Sequence, residues 1–300
     1  MSRETSNVLE GIPDGLYMPS EWKNHDACLI LYPHNQATFR LRQAQEQVLN
    51  LATSIASVGG EDVYLLCLND EQVEQARQQL LDKESIETLK GYQNKIIFKV
   101  CPSNDTWVRD TGPTFCWDQA TNKLVGLNWD FNAYGGPVEG CYWPCDLDVK
   151  VATHICEKAF SSSIQVCSIP LVLEGGSIHT DGEGTLLTTE ECLLNPNRNP
   201  NLGKIEIESI LKKALGIQSI IWLPQGLDAD EDTNGHIDNF CCFVKPGHVV
   251  LAWTDDDEHD KGNYERCRKA YTVLSASTDA KGRTIQVHKL YLPPPIVSFF

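Results

Sequence analysis

The residues from Asp228 to Val244 read Asp-Ala-Asp-Glu-Asp-Thr-Asn-Gly-His-Ile-Asp-Asn-Phe-Cys-Cys-Phe-Val. An acidic loop turns at Asn234-Gly235 into an apolar run with strand character. Side chains two apart on a strand point the same way, so His236 and Asp238 are expected to share one face. An imidazole exchanges a proton near neutral pH, and a partly buried carboxylate holds a cation through charge-assisted hydrogen bonds. The pair therefore suits acid–base work on a cationic substrate.

Two further stretches carry residues of the same kind, Asp110 in Trp107-Val-Arg-Asp-Thr-Gly-Pro113 and Glu174 in Leu173-Glu-Gly-Gly-Ser177. Carboxylates that converge are costly to bury unless a cation sits among them, so a group of Asp110, Glu174, Asp232 and Asp238 favours a guanidinium or ammonium ligand. The planar donor fork of guanidinium suits paired carboxylates, and the face of Trp107 adds a cation–π attraction of about 1 kcal/mol. Plainer readings stay open beside this one. Asp110 can pair with Arg109, Glu174-Gly-Gly can be a bulge with a solvated carboxylate, His236 can be a satisfied core histidine, and Asn234-Gly235 is a turn by default. The spacing Asp230-x-Asp232-x-Asn234-Gly235 also copies the first half of a calcium loop, although the position that needs a bidentate Glu is Cys241. A metal hydrolase built on His236-x-Asp238 would need a second ligand set, and none is evident.

Attack on a guanidinium carbon calls for a thiolate. On a continuous strand Cys242 would share the face of His236, but at a strand rise it lies about 13 Å from Asp238 and about 20 Å from His236. Cys116 is similarly displaced from Asp110, and Cys192 has no motif around it. The sequence supplies a cation clamp and an acid–base group but no assignable thiol; of the twelve, Cys242 is the first to test.

The elements that must position these residues repeat. The first part alternates as α/β: strand 27–32, helix 36–58 ended by Gly59-Gly60, strand 63–68, helix 71–81 with Asp70 as N-cap, and strand 96–100. From residue 107 a hairpin, a helix and a single strand recur three times. The hairpins are 108–117 with 124–129, 171–180 with 185–189, and 236–244 with 249–254. Their helices fall near 146–160, 205–215 and 264–274, and their closing strands at 164–169, 220–223 and 284–292. Such units stack as modules around an axis. After the third unit the pattern calls for another hairpin, whereas the chain reads Pro293-Pro-Pro-Ile-Val-Ser-Phe-Phe300; the expectation is a single domain over 1–300 whose last module is incomplete.

Composition narrows the function classes. Three hundred residues, 41% of them hydrophobic, suffice for a large core. A formal charge of −16 argues against nucleic acid and favours small cations. The polar start and the lack of a long apolar run point to neither signal peptide nor membrane span, so a cytoplasmic location is expected. Twelve scattered cysteines without a Cys-x-x-Cys pair read as reduced, buried thiols, and no structural metal is expected from Cys141, Cys145 and His154.

The motifs resemble those of the agmatine deiminases of the bacterial-type peptidylarginine deiminase family. The match runs through Met18-Pro-Ser-Glu-Trp22, Trp107-Val-Arg-Asp-Thr-Gly-Pro113, Asp130-Phe-Asn-Ala-Tyr-Gly-Gly136, Leu173-Glu-Gly-Gly-Ser-Ile-His179, Leu194-Asn-Pro-Asn-Arg-Asn-Pro200 and Asp232-Thr-Asn-Gly-His-Ile-Asp-Asn239. The resemblance implies a five-module ββαβ propeller of the pentein kind, and hydrolysis of agmatine to N-carbamoylputrescine and ammonia on the way to putrescine, without metal or organic cofactor. It implies that Asp110 and Asp238 grip the guanidinium, that His236 is the general acid and base, and that Asp232 meets the distal ammonium. Trp107 would line the pocket, Tyr134 would replace the usual Trp as an aromatic wall, and Glu174 would belong to the substrate site. The family nucleophile lies in a Gly-rich Asn-x-His-Cys motif that these 300 residues do not contain, so turnover near background is expected. The family often forms dimers or larger assemblies. Free or peptidyl arginine as substrate, and a non-catalytic guanidine- or polyamine-binding protein, stand as the alternatives.

Overall fold

A computed structural model of the chain describes residues 3–83, 91, 95–160 and 162–293. They group into two compact units, one of residues 24–113 and 144–166, the other of residues 1–23, 114–143 and 167–300. The smaller unit holds the α/β alternation seen in the sequence. Its parallel sheet places Asp62–Cys67 between Ala27–Leu31 and Ile96–Val100, in the register Ala27 to Asp62 and Val63 to Ile96. The helices Leu41–Ser54 and Asp70–Lys83 supply Leu49, Ala52, Ala76 and Leu80 to a core that they share with Tyr32, Val63, Leu65 and Ile96. Each fully buried leucine, isoleucine or valine among them contributes about 1.5–3 kcal/mol. The first helix starts five residues later than expected and runs on as a wider turn, Ile55–Gly59, which Gly60 stops at φ +73°. The cap of the second helix is Asn69 rather than Asp70: its side-chain oxygen accepts the Gln72 backbone N–H at 2.9 Å.

The larger unit contains the three repeated hairpins. Thr114–Asp118 pairs antiparallel with Lys123–Asp130, beside Gln165–Val172. Ile178–Thr180 pairs antiparallel with Thr185–Thr189, which runs parallel to Ser219–Leu223. Cys241–Lys245 pairs antiparallel with His248–Trp253, which runs parallel to Gln286–Tyr291. The second and third copies thus share one topology, a hairpin whose second strand takes a parallel neighbour after a helix. Those helices, Lys204–Leu215 and Lys261–Ser275, bury Leu211, Ala214 and Leu215 in one apolar core and Ala270 and Leu274 in another.

The strands begin later than the sequence reading placed them. Asp110 lies on a short helix, Val108–Thr111; Glu174 precedes the turn Gly175–Ser177; His236 precedes the turn Ile237–Asn239. The chemistry-bearing residue of each copy therefore sits on a helical turn just ahead of its hairpin, where backbone direction is set by tight local bonds rather than by strand pleat.

Candidate active site

His236 is fixed from both sides by its own loop. Asp230 folds back over the turn and accepts the Thr233 N–H at 3.1 Å, the His236 N–H at 3.0 Å and the Asn239 side-chain amide at 2.9 Å. Burial by itself would raise the Asp230 carboxyl, but hydrogen bonds from the Thr233 hydroxyl, the Asn239 amide and the Thr233 N–H, with the His236 charge, outweigh it and hold the pKa below the ordinary aspartate value. Its oxygens are thus taken by the loop, which removes the basis for reading Asp230-x-Asp232-x-Asn234 as a calcium loop. Asn234 and Gly235 have φ of +58° and +82°. A side chain at 235 would place its Cβ 2.7 Å from the Glu191 carboxylate, so only glycine fits there on both counts. His236 and Asp238 do come together, with Nδ1 3.9 Å from Oδ1, but across the turn Ile237–Asn239 and not by strand alternation. The same correction removes the premise that put Cys242 on the His236 face, because the strand starts at Cys241.

Glu174 approaches the other imidazole nitrogen. Its Oε2 is 3.8 Å from His236 Nε2, and both side chains are almost wholly buried. The sequence grouping gave Glu174 a substrate cation, whereas the structure gives it Arg198: Nε donates to Oε1 at 2.6 Å, with neither side chain exposed. Burial pushes the Glu174 carboxyl up, and the imidazole and the guanidinium more than offset this, so it stays ionised well below neutral pH. Arg198 reaches further. It donates to the Tyr134 carbonyl at 2.8 Å, the Asn234 side chain at 2.7 Å, the Asn197 side chain at 2.6 Å and the Thr233 carbonyl at 3.2 Å. Ala133 and Tyr134 have φ of +54° and +69°, so a single guanidinium ties down two left-handed loops. That puts the buried Tyr134 ring 6.0 Å from the imidazole and 5.3 Å from Phe131.

Sequence reasoning missed Arg198 and Cys192. Thr189 Oγ1 accepts the Cys192 N–H at 3.2 Å and donates to the Gly235 carbonyl at 2.7 Å, joining the helix Glu190–Leu193 to the His236 loop. One ligand-type atom from each of Glu174, Cys192 and His236 thereby falls within 4.8 Å of the others. The Arg198 signal was available in Asn195-Pro-Asn-Arg-Asn-Pro200, an arginine among turn formers. Cys192 carried none.

Asp232 and Asp238 stand at the accessible side of the loop, and the Asp232 carbonyl accepts the Cys141 thiol at 3.4 Å. In the smaller unit Trp107 is 38% exposed, stacked obliquely on Phe39 at 5.5 Å, and Asp110 is half-buried one turn later. The twelve cysteines share one property: burial is the leading cause in every case, and it pushes each thiol up from its ordinary value. For Cys192 the His236 imidazole works against this without reversing it.

Residues 17–298 match the Porphyromonas-type peptidyl-arginine deiminase family. The chain belongs to that family. Among relatives of this deiminase family, an agmatine deiminase of Medicago truncatula is 43% identical over 297 residues, covering 96% of this chain and 75% of its own length. An agmatine deiminase of Pseudomonas fluorescens is 44% identical over 283 residues, covering 94% and 72%. The solved agmatine deiminase of Enterococcus faecalis superposes with a TM-score of 0.83 at 36% identity, over 95% of this chain and 73% of that one. The α/β fold of ββαβ modules expected from the sequence is shared with these deiminases. Among the described residues, no helix is long and apolar enough to cross a membrane.

Proposed function

We infer that the chain is a hydrolase of linear amidines that acts on agmatine, giving N-carbamoylputrescine and ammonia, and that residues 1–300 work as one deiminase domain. The observation that carries this reading is the imidazole of His236 held between two carboxylates, with Glu174 3.8 Å from Nε2 and Asp238 3.9 Å from Nδ1, next to the accessible Asp232. In the reaction a thiolate attacks the guanidinium carbon and forms a C–S bond. The C–N bond breaks as His236 gives its proton to the leaving ammonia. The same imidazole then takes a proton from water, which attacks the thiouronium carbon; the C–S bond breaks and the urea product leaves. Asp238 serves as a partner for the guanidinium nitrogens and Tyr134 as an aromatic wall. Asp232 is the carboxylate for the distal ammonium, an arrangement that disfavours an α-carboxylate and so favours agmatine over arginine.

Glu174 acts through His236, because its Oε1 is already bound to Arg198. A negative charge beside Nε2 stabilises the imidazolium form that the ammonia-releasing step needs. The opening step is the demanding one. With all twelve thiols pushed up by burial, little thiolate is present near neutral pH. Isothermal titration of agmatine and arginine, with ammonia assayed in the same samples, tests the reading. Equal or tighter binding of arginine would favour an arginine deiminase, and no binding of either would refute the assignment.

A further inference from the structure

The trio of Glu174, Cys192 and His236 has more chemistry than the deimination uses. Glu174 Oε1 is bound to Arg198, but Oε2 is buried without a hydrogen-bond partner and faces the imidazole. The Cys192 side chain is wholly buried on the same side, held there by the Thr189 cap. One carboxylate oxygen, one imidazole nitrogen and one sulfur, all within 4.8 Å of each other, make a mixed O/N/S donor set. That set excludes calcium and magnesium, which want six or more oxygens, and suits a borderline-soft dication of zinc type with three protein ligands and a fourth position open. Tetrahedral zinc distances of about 2.0–2.3 Å place ligand atoms roughly 3.3–3.7 Å apart, so the trio needs to close by at most about 1.5 Å. The Arg198 bond to Oε1 is the kind of outer support that orients a ligating carboxylate.

We propose that Glu174, Cys192 and His236 form a site for a zinc-type dication. On binding, the Cys192 S–H bond breaks, its proton passes to the buffer and the thiolate takes the metal; the carboxylate and the neutral imidazole bind without losing a proton. Thiolate and carboxylate together neutralise the dication. The occupied site immobilises His236, so zinc blocks deimination, a consequence that rests on the function proposed above. Metal binding itself does not depend on that function.

Cobalt(II) is the probe. Added to the full chain after dialysis against chelator, it gives an absorption band for thiolate-to-cobalt charge transfer, together with the visible bands of a tetrahedral ion, and equimolar zinc removes both. Cys192→Ser keeps the volume of the side chain and should abolish the charge-transfer band and weaken zinc binding by more than about 100-fold, the upper end of what loss of an outer-shell partner costs. His248→Gln removes the accessible imidazole pair with His288, whose nitrogens are 3.0 Å apart, and should leave the band unchanged. Circular dichroism of the Cys192→Ser protein, matching the parent, ties the loss to the ligand rather than to the fold. A band that persists in Cys192→Ser, a band that disappears in His248→Gln, or no band in the parent protein at millimolar cobalt would each overturn the proposal.

Discussion

Replacing Arg198 by methionine separates the structural role of the guanidinium from its volume. Neither side chain of the Arg198–Glu174 pair is exposed. Removing one partner of such a pair leaves a buried charge uncompensated and costs about 3–5 kcal/mol. The Tyr134, Asn234 and Asn197 bonds go with it. Spread over a urea slope of about 2–3 kcal/mol per molar, the loss lowers the midpoint of unfolding by roughly 1–2.5 M at pH 7. The sign with pH follows from Glu174. In the parent its folded pKa lies below the ordinary 4.5, so its contribution is fully present above that value and is lost as pH falls through the folded pKa. In Arg198→Met, burial acts against a weaker opposition and raises the Glu174 pKa, so protonation relieves the variant first. The gap between the two proteins should therefore narrow from pH 7 towards pH 5. Arg198→Met with Glu174→Gln should recover a large part of the loss. A single variant that loses under 1 kcal/mol, or a double variant no more stable than the single, would show that this pair does not hold the site together.

Three other outcomes can be checked with the same protein. Gly235→Ala should destabilise by at least about 2 kcal/mol in urea titration, because alanine pays for the left-handed backbone and its Cβ meets the Glu191 carboxylate; an unchanged midpoint would mean that the loop relaxes freely. Asp232→Asn should weaken agmatine binding by about fivefold while leaving arginine binding no worse, as suits an accessible ion pair, and calorimetry would read an equal loss for both ligands as evidence against Asp232 as the ammonium partner. Acid should unfold the larger unit early. Glu174 and Asp230 both have depressed pKa values, so the stability they confer is present above about pH 4.5 and disappears as pH falls below it; a melting temperature flat from pH 6 to pH 3 would contradict that.

Much of the fold was legible because its elements carry strong local signals. The strand Ile96–Val100 is a short β-branched run and was found with the right ends, and the helices Lys204–Leu215 and Lys261–Ser275 start within three residues of where their apolar periodicity placed them. The site was legible as motifs and not as geometry. Alternation is a property of strands, and His236 to Asn239 proved to be a turn whose course is set by Asp230 and Gly235, so the pleat argument gave the right pair for the wrong reason. The Arg198–Glu174 bond joins residues 24 apart and the Thr189 bridge residues 46 apart. Neither spacing belongs to any local period, which is why the buried arginine and the thiol beside His236 emerged only from the folded chain. The charge of −16 pointed to a cation in the acidic cluster; for Glu174 that cation is one the protein supplies itself.

The account stands most directly on recognition of agmatine by the loop that carries Asp232, His236 and Asp238. Titration of agmatine into the 300-residue protein at neutral pH, followed by the same titration with arginine and with the Asp238→Asn variant, addresses it in one set of samples. Binding of agmatine, weaker binding of arginine, and a loss on Asp238→Asn with the fold intact are the predicted results. Arginine binding as tightly as agmatine, or agmatine binding untouched by Asp238→Asn, would contradict the account.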